Sequence, residues 1–146
     1  MFQRILVVCT GNICRSPMAE ILLSRRLRQA GRQVEVRSAG VGALVNQPAD
    51  EPARERMSAR GLDLEPHRAR QLDSELARWA DLILVMEQAH RDAVSDIEPT
   101  ARGKVYLLGH WDGGKDVPDP YQRPDAVYDE ALTLIDQALA SWVKRL

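Results

Sequence analysis

The chain has 146 residues, enough for one full hydrophobic core and too few for two, so we expect a single domain over residues 1–146. Its 20 basic and 21 acidic residues nearly cancel, which argues against nucleic acid as a partner. The sequence has no run of about 18 apolar residues, so membrane insertion is not expected. The two cysteines lie close together and do not make the framework of a secreted disulfide-rich domain, which predicts a cytoplasmic location.

Strand and helix patterns alternate along the chain. An apolar, β-branched run predicts a buried strand over residues 4–8, and alternation of apolar and polar residues predicts a second over 34–38. Short apolar runs predict two more strands, over 82–86 and 105–108. Helices are predicted over residues 18–28, 51–60, 72–79, 88–94 and 126–146. This alternation indicates an α/β fold with a four-stranded, mostly parallel sheet flanked by helices.

Local signals predict where several helices begin and end. Ser16 is expected as the N-cap of the first helix, with Pro17 at its first helical position. Gly61 is expected to close the second helix at the C′ position, and Asp73 to cap the third. Residues 109–124, with three prolines and three glycines, are predicted to form a long loop.

The first strand leads into the segment Cys9-Thr10-Gly11-Asn12-Ile13-Cys14-Arg15-Ser16-Pro17. Cys9 is thus expected at the carboxyl end of a parallel strand, where ligands bind in open α/β sheets. A loop that runs into a helix N-terminus binds anions through its amides, and Gly11 and Asn12 tolerate the positive φ that such a loop needs. Amides, helix dipole and Arg15 all favour the Cys9 thiolate, and the Arg15 guanidinium can hold two oxygens of a tetraoxyanion. The sequence therefore predicts a phosphate-binding loop over a nucleophilic sulfur, the alternative being a structural cysteine in a strand–loop–helix turn.

The form Cys-Thr-Gly-Asn-Ile-Cys-Arg-Ser resembles the low-molecular-weight protein tyrosine phosphatases. Three further segments stand in that family's order, so that the resemblance covers nearly the whole chain: Ser38-Ala39-Gly40, His67-Arg68-Ala69-Arg70-Gln71 and Asp119-Pro120-Tyr121. It implies hydrolysis of phosphotyrosine through a cysteinyl-phosphate intermediate. No metal or other cofactor is expected, because Arg15 and the loop amides carry the charge and the histidines show no metal-site spacing.

A leaving phenolate gains from a general acid. The acids of the long loop are Asp112, Asp116, Asp119 and Asp125, and composition does not choose among them. Asp119 lies between Pro118 and Pro120, which limits its backbone, and the resemblance also points to it. Cys9, Arg15 and Asp119 are therefore the predicted catalytic residues.

Other site residues are assigned more loosely. Substrate contacts are expected from the loop and from two cleft walls, namely Thr10, Gly11, Asn12, Ile13, Cys14, Ser16, Leu44 and Tyr121. The resemblance implies that Asn12, Ser38 and His67 hold the loop in shape, and Ser16 is placed to donate to the Cys9 thiolate. Cys14 is predicted either to form a reversible disulfide with Cys9 or to be a small buried side chain. His90 and His110 are interpreted as surface or packing residues.

Two positions bear on the substrate. Leu44 stands where eukaryotic relatives tend to present an aromatic residue, and Gln122 where many carry a second tyrosine. Both resemble bacterial enzymes tied to capsule and exopolysaccharide export, which implies an autophosphorylating tyrosine kinase as the phosphotyrosine protein. Phosphate and other oxyanions are expected to inhibit.

Two rivals keep the fold and change the function. An arsenate reductase would need further cysteines downstream, and none follows Cys14. A phosphocarrier would have no use for Asp119, and a phosphotyrosine-binding module would have no use for a nucleophile. With Cys9 and Asp119 both present, hydrolysis is favoured.

Overall fold

Four parallel strands form the centre of the fold in the computed structural model, which describes residues 2–146. The strands are β1 (Arg4–Cys9), β2 (Glu35–Gly40), β3 (Leu82–Val85) and β4 (Val105–Leu107). They lie in the order β2-β1-β3-β4, and every neighbouring pair is parallel. The predicted fold class, a single α/β domain with a four-stranded parallel sheet, is confirmed.

The central position of β1 places the end of that strand at the crevice of the sheet. From β1 the chain crosses to β2 on one side, and β3 returns to the other side of β1. Cys9 pairs with Gly40 at the carboxyl end of this register. Because the crossover direction reverses between β2 and β3, a ligand crevice opens at this end of β1, as predicted.

Within residues 2–146, five α-helices and one 3-10 turn surround the sheet. The α-helices are α1 (Arg15–Gln29), α2 (Glu51–Ser58), α3 (Ser74–Trp79), α4 (Gln88–Ile97) and α5 (Asp125–Val143). The 3-10 turn, Pro99–Lys104, was not predicted, and α4 extends three residues beyond its predicted end at residue 94. In residues 2–146 no helix is both long and apolar enough to cross a membrane.

The two faces of the sheet bury separate apolar layers. Ile5 and Val7 of β1 pack in the layer that contains α1 and α5. Leu6 and Val8 point to the other face, where Leu76 and other residues of α3, α4 and the 3-10 turn cover them. Alternation along a strand directs successive side chains to opposite faces, so a strand buried on both sides is a continuous apolar run.

The start of α1 differs from its prediction. The helix begins at Arg15 with Cys14 as its N-cap, so the expectation that Ser16 is the N-cap was wrong. The Ser16 hydroxyl is fully buried and lies against the Cys9 sulfur, so it is not available to cap the helix. Pro17 still falls in the first turn, where the absence of its N–H leaves no bond unmade.

Two predicted helix boundaries are confirmed by their hydrogen bonds. Gly61 has φ 75°, and the amides of Gly61 and Leu62 donate to the carbonyls of Ser58 and Met57. This is the Schellman pattern with glycine at C′. At α3 the Asp73 carboxylate accepts from the Leu76 amide at 2.8 Å.

Candidate active site

In the loop after β1, each backbone carbonyl of residues 9–14 points away from the centre of the loop and accepts a hydrogen bond there. The carbonyls of residues 9, 10 and 11 accept from the amides of Val41, Gly42 and Leu44 at 3.0, 3.0 and 3.1 Å. The carbonyl of residue 12 accepts from His67 Nε2 at 2.7 Å. The carbonyls of residues 13 and 14 accept from the amides of Asp50 and Met18 at 2.8 and 3.3 Å. In a planar trans peptide the N–H points opposite to the C=O. The amides of residues 10–15 are therefore turned toward the centre of the loop, an arrangement that binds anions.

The close packing of β2 against this loop requires a glycine. A Cβ atom built on Gly40 would lie 2.3 Å from the Thr10 carbonyl oxygen and 3.1 Å from the Asn12 nitrogen. Immediately after it, Val41 and Gly42 donate to the carbonyls of Cys9 and Thr10. Any side chain at residue 40 would push this segment away from the loop that it orients.

Cys9 is 2 % exposed, and its sulfur has two polar neighbours. The Asn12 amide donates to it at 3.3 Å, and the Ser16 hydroxyl oxygen lies 2.9 Å away. Because the Asn12 side chain donates to the same Ser16 oxygen at 2.8 Å, the Ser16 hydroxyl proton is left to point at the sulfur. Both groups can donate to a thiolate.

Asn12 connects this loop to β2 and to the segment around residue 70. It has φ 59°, and its side-chain nitrogen donates to Ser38 Oγ at 2.9 Å while its side-chain oxygen Oδ1 accepts from the Arg70 amide at 2.9 Å. Ser38 in turn donates to Glu20 at 2.5 Å. Burial raises the pKa of the Glu20 carboxyl, and the Ser38 hydrogen bond lowers it in part. With the bond from His67, the structure brings Asn12, Ser38 and His67 together behind the loop.

Arg15 is 1 % exposed, and its guanidinium is fixed from two sides. Nη1 donates to the Val117 carbonyl at 2.8 Å and to Glu87 Oε2 at 2.5 Å. Nη2 lies 3.9 Å from Asp119 Oδ2. Glu87 was missed by sequence reasoning, although a carboxylate directly after the third predicted strand reaches the same edge of a parallel sheet as Cys9.

His90 was interpreted as a surface or packing residue, and the structure places it in the interior with both ring nitrogens hydrogen-bonded. It is 4 % exposed, and its Nδ1 accepts from the Glu87 amide at 3.1 Å. Neutral imidazole then carries its proton on Nε2, which donates to Thr10 Oγ1 at 2.8 Å. Burial, followed by the charge of Arg15, lowers the pKa of His90, so the neutral form is favoured.

A cleft of about 170 Å³ opens above the sulfur. It is lined by Cys9, Thr10, Gly11, Ile13, Cys14, Arg15, Gly42, Leu44, Asp119 and Tyr121. Leu44 and Tyr121 are 42 % and 39 % exposed, as walls of an open cleft would be. The side chains of Asn12 and Ser16 are fully buried behind the loop, which leaves only their backbone amides for substrate contacts. Within residues 2–146 no group of three His, Cys, Asp or Glu side chains could hold a metal ion.

Asp119 lies on the outer side of this cleft, opposite the loop. Its side chain is 51 % exposed, and its Oδ1 accepts from the Tyr121 amide at 3.1 Å. The other oxygen is the one that approaches Arg15. Of the four acids considered in the long loop and at its end, it is the one that lines the cleft.

Cys14 has a different environment from Cys9. Its thiol donates to Asp50 Oδ2 at 3.6 Å, and the same oxygen accepts from the Tyr128 hydroxyl of α5. Burial raises the pKa of the Cys14 thiol, and burial with the hydrogen bond to Asp50 raises the pKa of Tyr128. Both cysteines are free thiols, so Cys14 is a small buried side chain in this state of the protein.

A buried sulfur at the end of a parallel strand, inside a ring of amides and beside a fixed arginine, defines the class of cysteine-dependent phosphatases. Comparison with known proteins gives the family. The profile of the low molecular weight phosphotyrosine protein phosphatases matches residues 4–146. The chain belongs to this family, which confirms the predicted resemblance and the enzyme class, cysteine-dependent protein-tyrosine-phosphatase.

Relatives match over the full length. The low molecular weight protein-tyrosine-phosphatase Wzb of Salmonella typhimurium is 47 % identical, over 100 % of this chain and 95 % of the relative. The structure of Vibrio vulnificus Wzb in complex with benzylphosphonate has a TM-score of 0.94 at 44 % identity and covers 100 % of both chains. The tyrosine phosphatase Wzb from Escherichia coli K30 in complex with sulphate has a TM-score of 0.93 at 48 % identity, over 99 % of each chain.

Proposed function

We propose that this single-domain protein hydrolyses phosphotyrosine in proteins through a cysteinyl phosphate formed on Cys9. The observation that carries the proposal is the convergence on one cleft of the Cys9 sulfur, the inward-facing amides and Arg15. These groups supply a nucleophile and a complete set of donors for three phosphoryl oxygens. The complexes of relatives with benzylphosphonate and with sulphate support binding of a tetrahedral anion.

The reaction takes two steps. In the first, the Cys9 thiolate forms a bond to phosphorus while the bond to the tyrosine oxygen breaks, and the Asp119 carboxylic acid gives its proton to that oxygen. In the second, the Asp119 carboxylate takes a proton from water, whose oxygen attacks phosphorus as the sulfur leaves. The Ser16 hydroxyl, 2.9 Å from the sulfur, stabilises the departing thiolate.

Arg15 and the loop amides hold the three equatorial oxygens during both steps. Glu87 and the Val117 carbonyl fix the guanidinium, so little reorganisation is needed when charge moves from the ester oxygen to the phosphoryl group. Inorganic phosphate presents the same oxygens and should therefore compete with substrate.

The depth of the sulfur favours aryl esters. Cys9 is 2 % exposed and lies beneath the walls formed by Leu44 and Tyr121. An aromatic ring spans such a cleft and stacks beside Tyr121, whereas the short side chain of phosphoserine holds its phosphate close to the polypeptide.

We further infer that the phosphotyrosine protein is an autophosphorylating tyrosine kinase of capsule or exopolysaccharide export, in the cytoplasm. Support for the partner is the similarity to the Wzb phosphatases and the residues Leu44 and Gln122. Support for the compartment is a mechanism that needs Cys9 as a reduced thiol.

The test is steady-state hydrolysis of p-nitrophenyl phosphate, a phosphotyrosine peptide and its phosphoserine counterpart, with a chelator present. Wild type should turn over the first two, and Cys9→Ser should lose at least about 10⁴-fold in kcat, as expected for loss of a nucleophile. Absence of turnover by reduced wild type would overturn the proposal.

The same assay tests Asp119. Asp119→Ala should slow the hydrolysis of phenyl phosphate by about 10²- to 10⁴-fold, because phenolate leaves poorly without a proton. Hydrolysis of p-nitrophenyl phosphate should slow much less, since p-nitrophenolate is a good leaving group. Equal effects on both esters would reject Asp119 as the general acid.

A further inference from the structure

A second, larger cavity adjoins the catalytic cleft. It has a volume of about 560 Å³ and shares Ile13, Leu44 and Tyr121 with the cleft. Beyond these three residues it continues along Val45, Gln47, Pro48, Ala49, Asp50, Glu51 and Arg54, a surface that we call the flank groove. It runs from the rim of the cleft to the start of α2.

The flank groove lies where the main chain of a bound phosphotyrosine would leave the catalytic cleft. A tyrosine whose phosphate lies over Cys9 must pass its ring between Leu44 and Tyr121, and its main chain then emerges at the rim. The same two side chains form one end of the flank groove. Residues next to a phosphotyrosine bound over Cys9 therefore lie at the entrance of this groove.

The wall of the flank groove nearest the rim is apolar and exposed. Val45 is 54 % exposed and Leu44 42 %, and Pro48 continues the same surface. When a ligand covers exposed aliphatic side chains beside a binding cleft, the burial of apolar surface favours binding. This wall suits an aliphatic chain of several methylene groups.

The far end of the flank groove carries negative charge. Glu51 is exposed, and in the described part of the chain no cation lies within ion-pair distance of it. The neighbouring arginine is already engaged: Arg54 donates through Nε to the Ala49 carbonyl at 3.0 Å and through Nη1 to Glu65 at 3.3 Å. A cation on the substrate can therefore pair with Glu51 without competing with Arg54.

We propose that the flank groove selects substrates with a lysine or arginine close to the phosphotyrosine. The aliphatic stem of that side chain lies along Val45 and Pro48, and its charged end reaches Glu51. Long basic side chains bury their methylene groups on apolar surface while keeping the charge in water, so one residue satisfies both parts of the groove. This inference rests on the phosphotyrosine hydrolysis proposed above, and it names the sequence context that the enzyme prefers.

The experiment compares two phosphotyrosine peptide libraries that differ only in having lysine or glutamate within three residues of the phosphotyrosine. Wild type should show a kcat/KM about five-fold higher for the lysine series, the size expected of one partly exposed ion pair. Glu51→Gln should bring the two series close together, and Glu51→Arg should reverse the order. Each variant is normalised to its own rate on p-nitrophenyl phosphate, which has no flanking residues.

Glu130→Arg is the matched control. Glu130 is an exposed residue of α5 outside the flank groove, so this variant makes the same change in net charge. It should keep the wild-type preference for lysine. If Glu130→Arg and Glu51→Arg changed the ratio equally, a general electrostatic effect would replace the flank groove as the explanation.

Binding separates this inference from the proposed function. Cys9→Ser and the double variant Cys9→Ser, Glu51→Arg are titrated with the same peptides by calorimetry, which needs no hydrolysis. Tighter binding of lysine peptides that disappears in the double variant supports the flank groove even if turnover is absent. Equal binding of both series by Cys9→Ser, or a lysine preference unaffected by Glu51→Arg, would overturn it.

Discussion

The two ends of the phosphate loop carry the same residue type in opposite environments. Cys9 and Cys14 are both free thiols, 2 % and 4 % exposed. At the Cys9 end the sulfur has the Asn12 amide and the Ser16 hydroxyl as neighbours. At the Cys14 end the sulfur faces the carboxylate of Asp50, to which it donates its own proton.

The difference shows that burial alone does not decide what a cysteine does. Donors around a sulfur favour the thiolate, whereas an acceptor carboxylate in a buried site favours the thiol. The pKa of Cys14 is accordingly raised, first by burial. Two thiols five positions apart can thus differ in reactivity because one points into the ring of amides and the other away from it.

The sharpest test of this contrast exchanges each sulfur for oxygen. Cys9→Ser should abolish turnover of p-nitrophenyl phosphate, with a loss of at least about 10⁴-fold, whereas Cys14→Ser should stay within about ten-fold of wild type. A serine hydroxyl at residue 14 can still donate to Asp50. The contrast would be broken if both variants lost comparable activity while circular dichroism showed both to be folded.

Removal of the Tyr128 hydroxyl should weaken the Cys14 end. In Tyr128→Phe the Asp50 carboxylate loses a donor, which should cost about 1–3 kcal/mol in the free energy of unfolding, measured with urea.

Alkaline pH tests the Cys14–Asp50–Tyr128 site in wild type. The pKa values of Cys14 and Tyr128 are raised in the folded state, so stability present below their ordinary values of 9.0 and 10.0 should be lost as pH rises above them.

Tyr128→Phe is the control for the loss of wild-type stability at alkaline pH. Tyr128→Phe should lose less stability per pH unit than wild type above pH 10, because one of the two protons released on unfolding is gone. Parallel pH profiles of the two proteins would show that Tyr128 is not held protonated by this site.

The Cys9 end should be sensitive to acid, with a smaller effect. The pKa of His90 is lowered by burial and by Arg15, while Glu87, Asp116 and Asp119 oppose the shift. A lowered pKa means that the unfolded chain binds a proton first, so stability is complete above the ordinary value of 6.5 and falls as pH drops below it. The slope should be at most about 1.4 kcal/mol per pH unit, and His90→Asn should flatten it. An unchanged slope in His90→Asn would contradict this role.

Elements with a local signal were predictable. Three of the strands are apolar runs and β2 begins with alternating apolar and polar residues, while Gly61 and Asp73 act within a few residues of themselves, so periodicity and capping rules located them. Ser16 was misassigned because its hydroxyl serves Cys9, a contact made by the folded loop that overrides the capping preference. The 3-10 turn after α4 has no periodic signal of its own, which is why it was missed.

The site was predictable where the motif itself is contiguous. Cys9, Arg15 and the loop between them were located because their chemistry follows from residue type and spacing. Glu87 and His90 were not, because they meet the loop only after β3 is placed beside β1. The Cys14–Asp50–Tyr128 contact joins three elements that are distant in the sequence, so no local sequence pattern predicts it.

The outward bonds of the loop carbonyls have a consequence for the order of folding. Five of the six donors come from residues 41–67, and only the Met18 amide belongs to the adjoining helix. A chain in which β1 and α1 have formed but residues 41–67 have not docked lacks the donors that turn five of the six peptide planes, so its Cys9 is an ordinary thiol. Recovery of catalytic turnover during refolding should therefore lag behind recovery of helical signal. The reactive cysteine comes into being only when the tertiary structure is finished.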